Sequence, residues 1–486
     1  MTSSQYQNRL NETEYDHTNH KREKSFYIAT LGCKVNQYES DGIASELLEG
    51  GWRIKDRVED ADICIINTCA VTSRAAMQSR QQIRSIIRAN PNAKIIVTGC
   101  HAQTEPDQIR KIENVDAVIG HQDKFTIAKN ILNPVESEIF TSQSEIFISQ
   151  DIVKNSQQSS KDSLQVCSAD SFKSFKSAVA GSKTRAYLKI QDGCDAFCTY
   201  CIVPYSRGRS RSMPSNQVIE NLLELSSKGY KEAILTGIHV GAYGLDFENN
   251  KLSLNSSPLT ELLVQIDEIK PIHRVRLSSI EPKELADDII HLAAKSGSTL
   301  CDHFHIPLQS GDDSILKRMG RPYNVELFAD LITKISNEIP NAAIGVDILE
   351  GFPGESDEAF ANTFNLIQTL PVSYLHVFPF SPRKGTKAYN YPNKVNNQIV
   401  KDRCAALREL GSEKRRVFEN NQIENIDRYL ESVIQDKRDD RTGKLIAVTS
   451  NYLSVLVEGS DDLKRQIVNI SLNSRDKHNR LTGRIV

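Results

Sequence analysis

The sequence predicts an α/β protein in three parts: an N-terminal open parallel α/β domain, a central partial (β/α) barrel and a C-terminal small antiparallel β-barrel. Three observations carry this. Apolar strand-like runs alternate with helical periodicity over 25–136 and again over 184–412, the pattern of βαβ units on parallel sheets. A polar stretch, 137–183, interrupts them and reads as a linker. From 420 to 486 the texture changes to short β-type runs punctuated by turn residues.

Composition narrows the class. With 25% charged and 39% hydrophobic residues the chain reads as a soluble globular protein. No apolar run approaches the ~20 residues of a membrane span, so no membrane partner is expected. The net charge of −2 does not advertise nucleic acid, so any such surface is a local patch. Residues 1–24 are polar, lack the apolar core of a secretory signal and read as a flexible extension. Ten cysteines without an export signal point to a reducing, cytoplasmic setting and to metal or catalysis rather than disulfides.

In the first region SFYIATLGC is a strand ending at Cys33. SDGIASELLEGG reads as a helix with Ser40 as N-cap, Ile43, Leu47 and Leu48 on its apolar face, and Gly50 and Gly51 past its end. ADICIINTC is a strand ending at Cys69, SRAAMQSRQQIRSIIRA a helix stopped by Asn90-Pro91, and AKIIVTGC a strand ending at Cys100. Cys33, Cys69 and Cys100, 36 and 31 residues apart, thus fall just past the carboxyl ends of three strands. In an open parallel sheet those ends share one edge, where ligands bind. Three thiolates distant in sequence therefore converge and can ligate a cluster; three unrelated buried thiols are the plainer reading. Cys64, between two isoleucines, reads as a core thiol. Residues 141–182 hold 12 serines in 42 positions and no period, and Cys167 among them has no assigned role.

From Thr184 new βα units begin. RAYLKIQDG is a strand that delivers the loop GCDAFCTYC, in which Cys194, Cys198 and Cys201 are spaced by four and three. Three thiolates at this spacing can hold three corners of a [4Fe–4S] cube, which is fully ligated only by four. The next cysteine downstream is Cys301, so one iron is left open, as a catalytic metal site keeps a position for its substrate. A zinc knuckle or three ordinary thiols are the alternatives, and zinc would want a fourth Cys or His close by. Residues 214–228 make a helix, and five further strand runs follow: YKEAILTGIHVGAYG, HRVRLSSIEP, DHFHIPLQSG, AAIGVDILEGFPGE and YLHVFPFSP. Six units suit a partial or complete barrel, whose active site forms at the carboxyl ends of its strands. The polar residues at those ends are candidates for cofactor binding: Thr236 and Gly237, then Ser278, Ser279 and Glu281, then Gln309, then Asp347 with Gly351 and Gly354. Each alone is more often a capping or solvated loop residue. Tyr200 can lie against an adenine or pack within its own loop. Arg207, Arg209 and Arg211 offer phosphate recognition beside the site, or form structural ion pairs. Residues 394–420 are a charged segment ending the barrel, with Cys404 as a packing residue. RYLESVIQD, KLIAVTSN, YLSVLVEG and RQIVNISLNS read as a barrel of four or five strands. That region carries 11 Lys+Arg against 9 Asp+Glu from residue 425 on, only mildly basic.

The loop GCDAFCTYC resembles the CxxxCx-aromatic-C signature of the radical S-adenosylmethionine (SAM) enzymes. TLGCKVNQYES, NTCAVTSRA and TGCHAQ resemble motifs of the methylthiotransferase family, which the chain resembles along nearly its whole length. The resemblance implies a radical SAM core and a terminal TRAM RNA-binding domain. It implies metal and catalytic roles for Cys194, Cys198 and Cys201 on one [4Fe–4S] cluster. It implies the same for Cys33, Cys69 and Cys100 on an auxiliary [4Fe–4S] cluster that supplies or carries sulfur. By resemblance, S-adenosylmethionine binds the open iron of the first cluster through its amino and carboxylate groups, and one electron releases a 5′-deoxyadenosyl radical. Among the branches, GCKVNQYES and NTCAVT look like the one that methylthiolates C2 of N6-threonylcarbamoyladenosine next to the tRNA anticodon. The isopentenyladenosine branch and the ribosomal-protein branch are the alternatives, and a non-enzymatic iron–sulfur RNA sensor is the alternative of another class. The implied partners are tRNA and an electron donor such as flavodoxin or ferredoxin; the sulfur donor is unassigned. Three positions depart from the family pattern: Glu350 where it usually has an apolar residue, and Lys384 and Lys387 where prolines are common.

Overall fold

The computed structural model describes residues 23–134, 147–150, 152, 166–167, 171–175, 183–247, 257–424 and 429–486. The extension 1–24, apart from its last two residues, and most of 137–183 lie outside the described residues.

The N-terminal sheet has the order β2-β1-β3-β4-β5-β6, with all its pairs parallel. Its strands are β1 (Ser25–Thr30), β2 (Arg53–Ile54), β3 (Ile63–Thr68), β4 (Lys94–Gly99), β5 (Ala117–Val118) and β6 (Phe147–Ile148). The centre of β3, Ile63–Ile66, is buried because helices cover both faces, so it reads as a continuous apolar run rather than an alternating one. Each such isoleucine contributes roughly 1.5–3 kcal/mol on burial. Helix α1 spans Lys34–Glu49 and α2 Ser73–Ala89. The expected start of α1 at Ser40 is corrected. The helix begins six residues earlier with Cys33 as its N-cap, and Ser40 lies inside it, buried and accepting from Asn67 Nδ2 at 3.1 Å. A tertiary partner for the Ser40 hydroxyl replaces the capping role that local propensity suggested. The expected linker also contains structure: β6 completes the sheet, and Phe175 is buried against Phe125 (4.8 Å between ring centroids) and Tyr38.

The central domain is a half-open barrel of six parallel strands in two sheets. These are β7 (Ala186–Lys189), β10 (Glu232–Thr236) and β11 (Arg274–Leu277), then β12 (His303–Gln309), β13 (Ala343–Glu350) and β14 (Tyr374–Pro379). Single bridges, Val275 to Leu300 and Ser279 to His305, join the two halves. A short antiparallel pair, β8 (Gln191–Asp192) with β9 (Arg211–Ser212), ties off the loop between them. Helix α1 packs on the β7 edge. A 28-residue helix, Asn397–Glu424, lies along β14 with Cys404 buried on its inner face. The chain ends in a closed barrel of five strands, β15 (Leu430–Ile434), β16 (Leu445–Thr449), β17 (Ser454–Val457), β18 (Ile467–Arg475) and β19 (Leu481–Ile485). Its own apolar core includes Ile434, Leu445, Val455, Val457 and Ile470. Among the described residues no helix is long and apolar enough to cross a membrane.

Candidate functional site

Strands β1, β3 and β4 are neighbours in one parallel sheet, so Cys33, Cys69 and Cys100 emerge together at its carboxyl edge. Asn36, on the first turn of α1, organises them. Its amide donates to the carbonyls of Leu31 (2.7 Å) and Thr68 (3.1 Å), while its Oδ1 lies 3.8 Å from Cys33 Sγ. Ser79 of α2 donates to the Cys69 carbonyl and accepts from its amide. Burial pushes the Cys69 thiol up to about 12, and it raises that of Cys33 as well, against the opposing pull of Arg207. Metal binding must therefore displace protons here.

The second triplet lies on the loop after β8. Gly193 precedes it with φ +74°, and a Cβ there would lie 1.9 Å from the Arg209 carbonyl oxygen, so only glycine fits the turn. Cys194 N donates to the Gly208 carbonyl at 3.0 Å and Cys201 N to that of Cys198 at 2.9 Å. Burial pushes the Cys201 thiol up to about 12. Arg321 donates to Cys198 Sγ at 3.3 Å and pairs with Glu281. His239 Nδ1 lies 3.4 Å from Cys194 Sγ, and its Nε2 is 2.7 Å from Glu284 Oε1. Burial disfavours a charged His239, but the contacts to Cys194 and Glu284 outweigh it and raise the imidazole to about 11. The six cysteines of the two triplets are free thiols.

The other sequence candidates divide. Thr236 is buried at the end of β10, and its carbonyl accepts from Ile190 N at 2.9 Å. Gly237 gives way to Gln191, whose Oε1 would lie 2.8 Å from an added Cβ. Gln191 in turn bonds the amides of Ile238 and His239 and the carbonyl of Gly193, locking the β10 loop to the cluster loop. Ser278 Oγ is buried with no partner among the described residues, a polar atom that a ligand in the barrel mouth would satisfy. Ser279 joins β12, and Glu281 is taken by Arg321. Gln309 ends β12 at φ +70°. Asp347 is corrected in position: β13 continues to Glu350, so this carboxylate sits within the strand, 2.8 Å from His305 Nε2 and 3.2 Å from His376 Nδ1. Burial opposes its ionisation, but the two imidazoles hold it down at about 2. Gly351 and Gly354 follow β13, where Val400 and Arg318 crowd them. Tyr200 packs edge-on against Phe352 at 6.3 Å, among Met319, Ala388 and Tyr391.

The arginine run takes the second of its two expected forms, structural ion pairs. Arg207 and Arg211 are buried; Arg209 alone is exposed, paired with Asp195 at 3.0 Å. Arg207 donates to Glu39 Oε1 and Asp192 Oδ1, both at 3.0 Å, and to Asn36 Oδ1 at 2.5 Å. Lys124 and Lys189 complete this buried network around Glu39 and Asp192. The segment Arg207–Gly208 therefore touches both triplets, one through Asn36 and the other through the Cys194 amide. Periodicity gave no sign of Asn36, His239, Arg321 or the inward role of Arg207. Their spacing to the cysteines is set by the fold; only the nearness of Asn36 to Cys33 in the chain was a hint.

Residues 25–120 match the profile described as Uncharacterized protein family UPF0004, and residues 188–367 match the Radical SAM superfamily. The Threonylcarbamoyladenosine tRNA methylthiotransferase MtaB of Bacillus subtilis is 36% identical over 91% of this chain and 92% of its own length. The MtaB of Thermotoga maritima is 38% identical over 79% and 81%. A tRNA-2-methylthio-N(6)-dimethylallyladenosine synthase of Clostridium tetani is 32% identical over 94% and 95%. Among solved structures, the radical S-adenosylmethionine methyltransferase TsrM of Kitasatospora setae shares the fold, with a TM-score of 0.52, 15% identity and 75% of each chain covered. The fold, the two cysteine triplets and these relatives agree: the chain belongs to the radical SAM tRNA methylthiotransferase family, whose cofactors are [4Fe–4S] clusters and S-adenosylmethionine.

Proposed function

We propose that the protein replaces the C2 hydrogen of N6-threonylcarbamoyladenosine in tRNA with a methylthio group. The observation that carries this reading is the joining of two cysteine triplets through one segment, Arg207–Gly208. A single radical site needs only one triplet; a second one beside it supports transfer of sulfur. With both clusters and S-adenosylmethionine bound, the site supplies a carbon radical able to take hydrogen from a C–H bond that offers no leaving group.

This chain's own residues then have separate roles. Cys194, Cys198 and Cys201 hold the radical cluster and leave one iron for the cofactor. Cys33, Cys69 and Cys100 hold the auxiliary cluster. Ser278 and Gln309 contact the cofactor at the strand ends. Gln191 keeps the two loops of the barrel mouth in register. The terminal barrel docks tRNA through its backbone while the target base is splayed into the half-barrel. An electron donor of the flavodoxin or ferredoxin kind and a cytoplasmic setting, where tRNA is met, fit the same reading.

The experiment is mass spectrometry of tRNA nucleosides from a strain lacking the gene and carrying no second such enzyme. Loss of the methylthio-threonylcarbamoyl nucleoside, restored by the wild-type gene, is the expected result. Loss of a methylthio-dimethylallyl nucleoside instead would move the substrate to that of the Clostridium tetani relative. Reduced, reconstituted protein that makes no 5′-deoxyadenosine from S-adenosylmethionine would point to the RNA sensor.

A further inference from the structure

The net charge of −2 rules out a broadly basic surface, and the terminal barrel is only mildly basic, so a polyanion needs a local patch. The fold makes one where that barrel meets the central domain. Strands β7 and β14 are the outer edges of the two central sheets. Residues of both edges line one crevice of about 900 Å³ that runs down to the terminal barrel. Its walls carry Tyr187 from β7, Tyr374 and His376 from β14, and Tyr452 from the turn between β16 and β17. A second groove of about 490 Å³ shares Tyr374, Leu375 and Arg415 with the first. It continues between the long helix Asn397–Glu424 and the turn between β18 and β19.

The acids on these walls are already engaged. Asp436 in the crevice accepts two bonds from Arg465, at 2.8 and 2.9 Å. Glu419 in the groove is shared by Arg415 and by Arg475, the latter at 2.7 Å. Three cations on the same walls are not matched by an acid. Among the described residues the side chains of Lys437 and Arg416, both exposed, have no hydrogen bond or ion pair. Arg408 donates only to the carbonyl of Val377, at 3.1 Å. Where the two grooves meet, the Arg415 guanidinium lies over the Tyr374 ring, 5.9 Å from its centroid.

Unmatched cations spaced along a groove, with aromatic faces between them, are what a single-stranded nucleic acid requires: phosphates meet the cations while bases stack on the rings. The crevice is concave and lies along the open edges of the half-barrel, which suits a thin strand better than the convex surface of an acidic protein. We propose that this junction, and not the terminal barrel alone, carries the single-stranded part of the RNA. The strand leaves the half-barrel between Tyr187 and Tyr374, crosses Arg415 and follows the long helix past Arg416 and Arg408, with Lys437 on the side of the terminal barrel. The assignment rests on the tRNA reading above and gives the RNA a path to the site.

The test uses the full chain, reconstituted with iron under anaerobic conditions, and an anticodon stem-loop RNA carrying N6-threonylcarbamoyladenosine. Binding is measured across about 50–200 mM salt. Each phosphate contact on a single strand contributes about −0.7 to the slope of log affinity against log salt. Arg416→Gln and Lys437→Gln should each flatten the wild-type slope by roughly 0.7 and weaken binding roughly 4-fold at physiological salt, while still releasing 5′-deoxyadenosine from S-adenosylmethionine. Lys401→Gln removes an exposed charge from the same helix outside both grooves and should match wild type. Tyr187→Leu should weaken binding roughly 10-fold without changing the slope, and Tyr187→Phe should keep the wild-type affinity. If Arg416→Gln and Lys437→Gln keep the wild-type slope, or Lys401→Gln loses as much as they do, the track is overturned; methylthiolation of the RNA by wild type would then leave the substrate reading standing. Variants that bind the RNA normally but are no longer reduced by flavodoxin overturn the track in favour of an acidic protein. Wild type that neither binds nor modifies the RNA overturns both readings.

Discussion

Arg207 Nη1 and Glu39 Oε1 lie 3.0 Å apart with almost no exposure to solvent, although 168 positions separate them in the chain. Glu39 comes from α1 of the N-terminal domain and Arg207 from the cluster loop of the barrel. Burial alone would keep Glu39 protonated, but Arg207, Lys124 and Lys189 outweigh it and hold the carboxyl well below its usual range. The pair fastens two domains, each carrying one cysteine triplet.

Breaking it leaves uncompensated buried charge. Glu39→Gln or Arg207→Met is expected to cost about 3–5 kcal/mol of stability, read from the urea midpoint at pH 7. Exposed Arg209→Met, with only a surface partner in Asp195, should stay within about 1 kcal/mol. Equal effects for Arg207 and Arg209 would remove the interface role.

The two triplets should separate chemically. Replacing Cys33, Cys69 or Cys100 by alanine should lower the iron content from about eight to about four per chain. These variants should still release 5′-deoxyadenosine from S-adenosylmethionine while losing methylthiolation. Replacing Cys194, Cys198 or Cys201 should abolish both. If the first set also stopped the cofactor cleavage with the fold intact, the division of labour would be wrong.

Arg321 touches Cys198 Sγ at 3.3 Å and pairs with Glu281. A cation that hydrogen-bonds a cluster sulfur favours the reduced form and orients its ligand. Arg321→Gln should shift the radical cluster to a more negative potential in an EPR titration, and slow cofactor cleavage roughly 10- to 100-fold. The signal of the other cluster should not move.

Glu350 is fully buried, its oxygens lack a hydrogen bond among the described residues, and Arg403 is 3.6 Å away. Glu355, which accepts from Arg403 at 2.9 Å and from Gly351 N at 2.8 Å, is pushed by burial and then by Glu350 from 4.5 to about 9. A carboxyl raised in the folded state contributes stability that is complete below its unfolded pKa and is lost as pH rises through the folded one. Wild-type stability should therefore decline between about pH 4.5 and 9. Glu350→Leu removes the like charge, so the decline should flatten and the melting temperature at pH 8 should rise. A variant that keeps the wild-type slope would show that Glu350 is not its source.

Much of the fold was legible because hydrophobic period and turn residues are local signals. The six barrel strands, the strand-end cysteines and the terminal barrel all follow from them. Three features were decided by distant neighbours. Ser40 is a strong N-cap type, but Asn67 from a neighbouring strand takes its hydroxyl. Arg207 and Arg211 suit phosphate recognition or structural ion pairs, and Glu39 and Asp192 select the ion pairs. The polar 137–183 stretch looks like a linker, but Phe147–Ile148 and Phe175 find partners in the N-terminal domain. In each case the deciding neighbour lies far away in the chain, where periodicity carries no information.

The same division holds for the site. The spacing of Cys194, Cys198 and Cys201 is a local property, so the sequence alone picks out one candidate cluster loop and, from three strand ends, a second group of thiols on one edge. Only the tertiary structure brings the two groups to a common wall through Arg207, Asn36 and Gly208. Charge and hydrogen bonding act through space. The candidate cysteines were written in the chain, but their neighbours were chosen by packing.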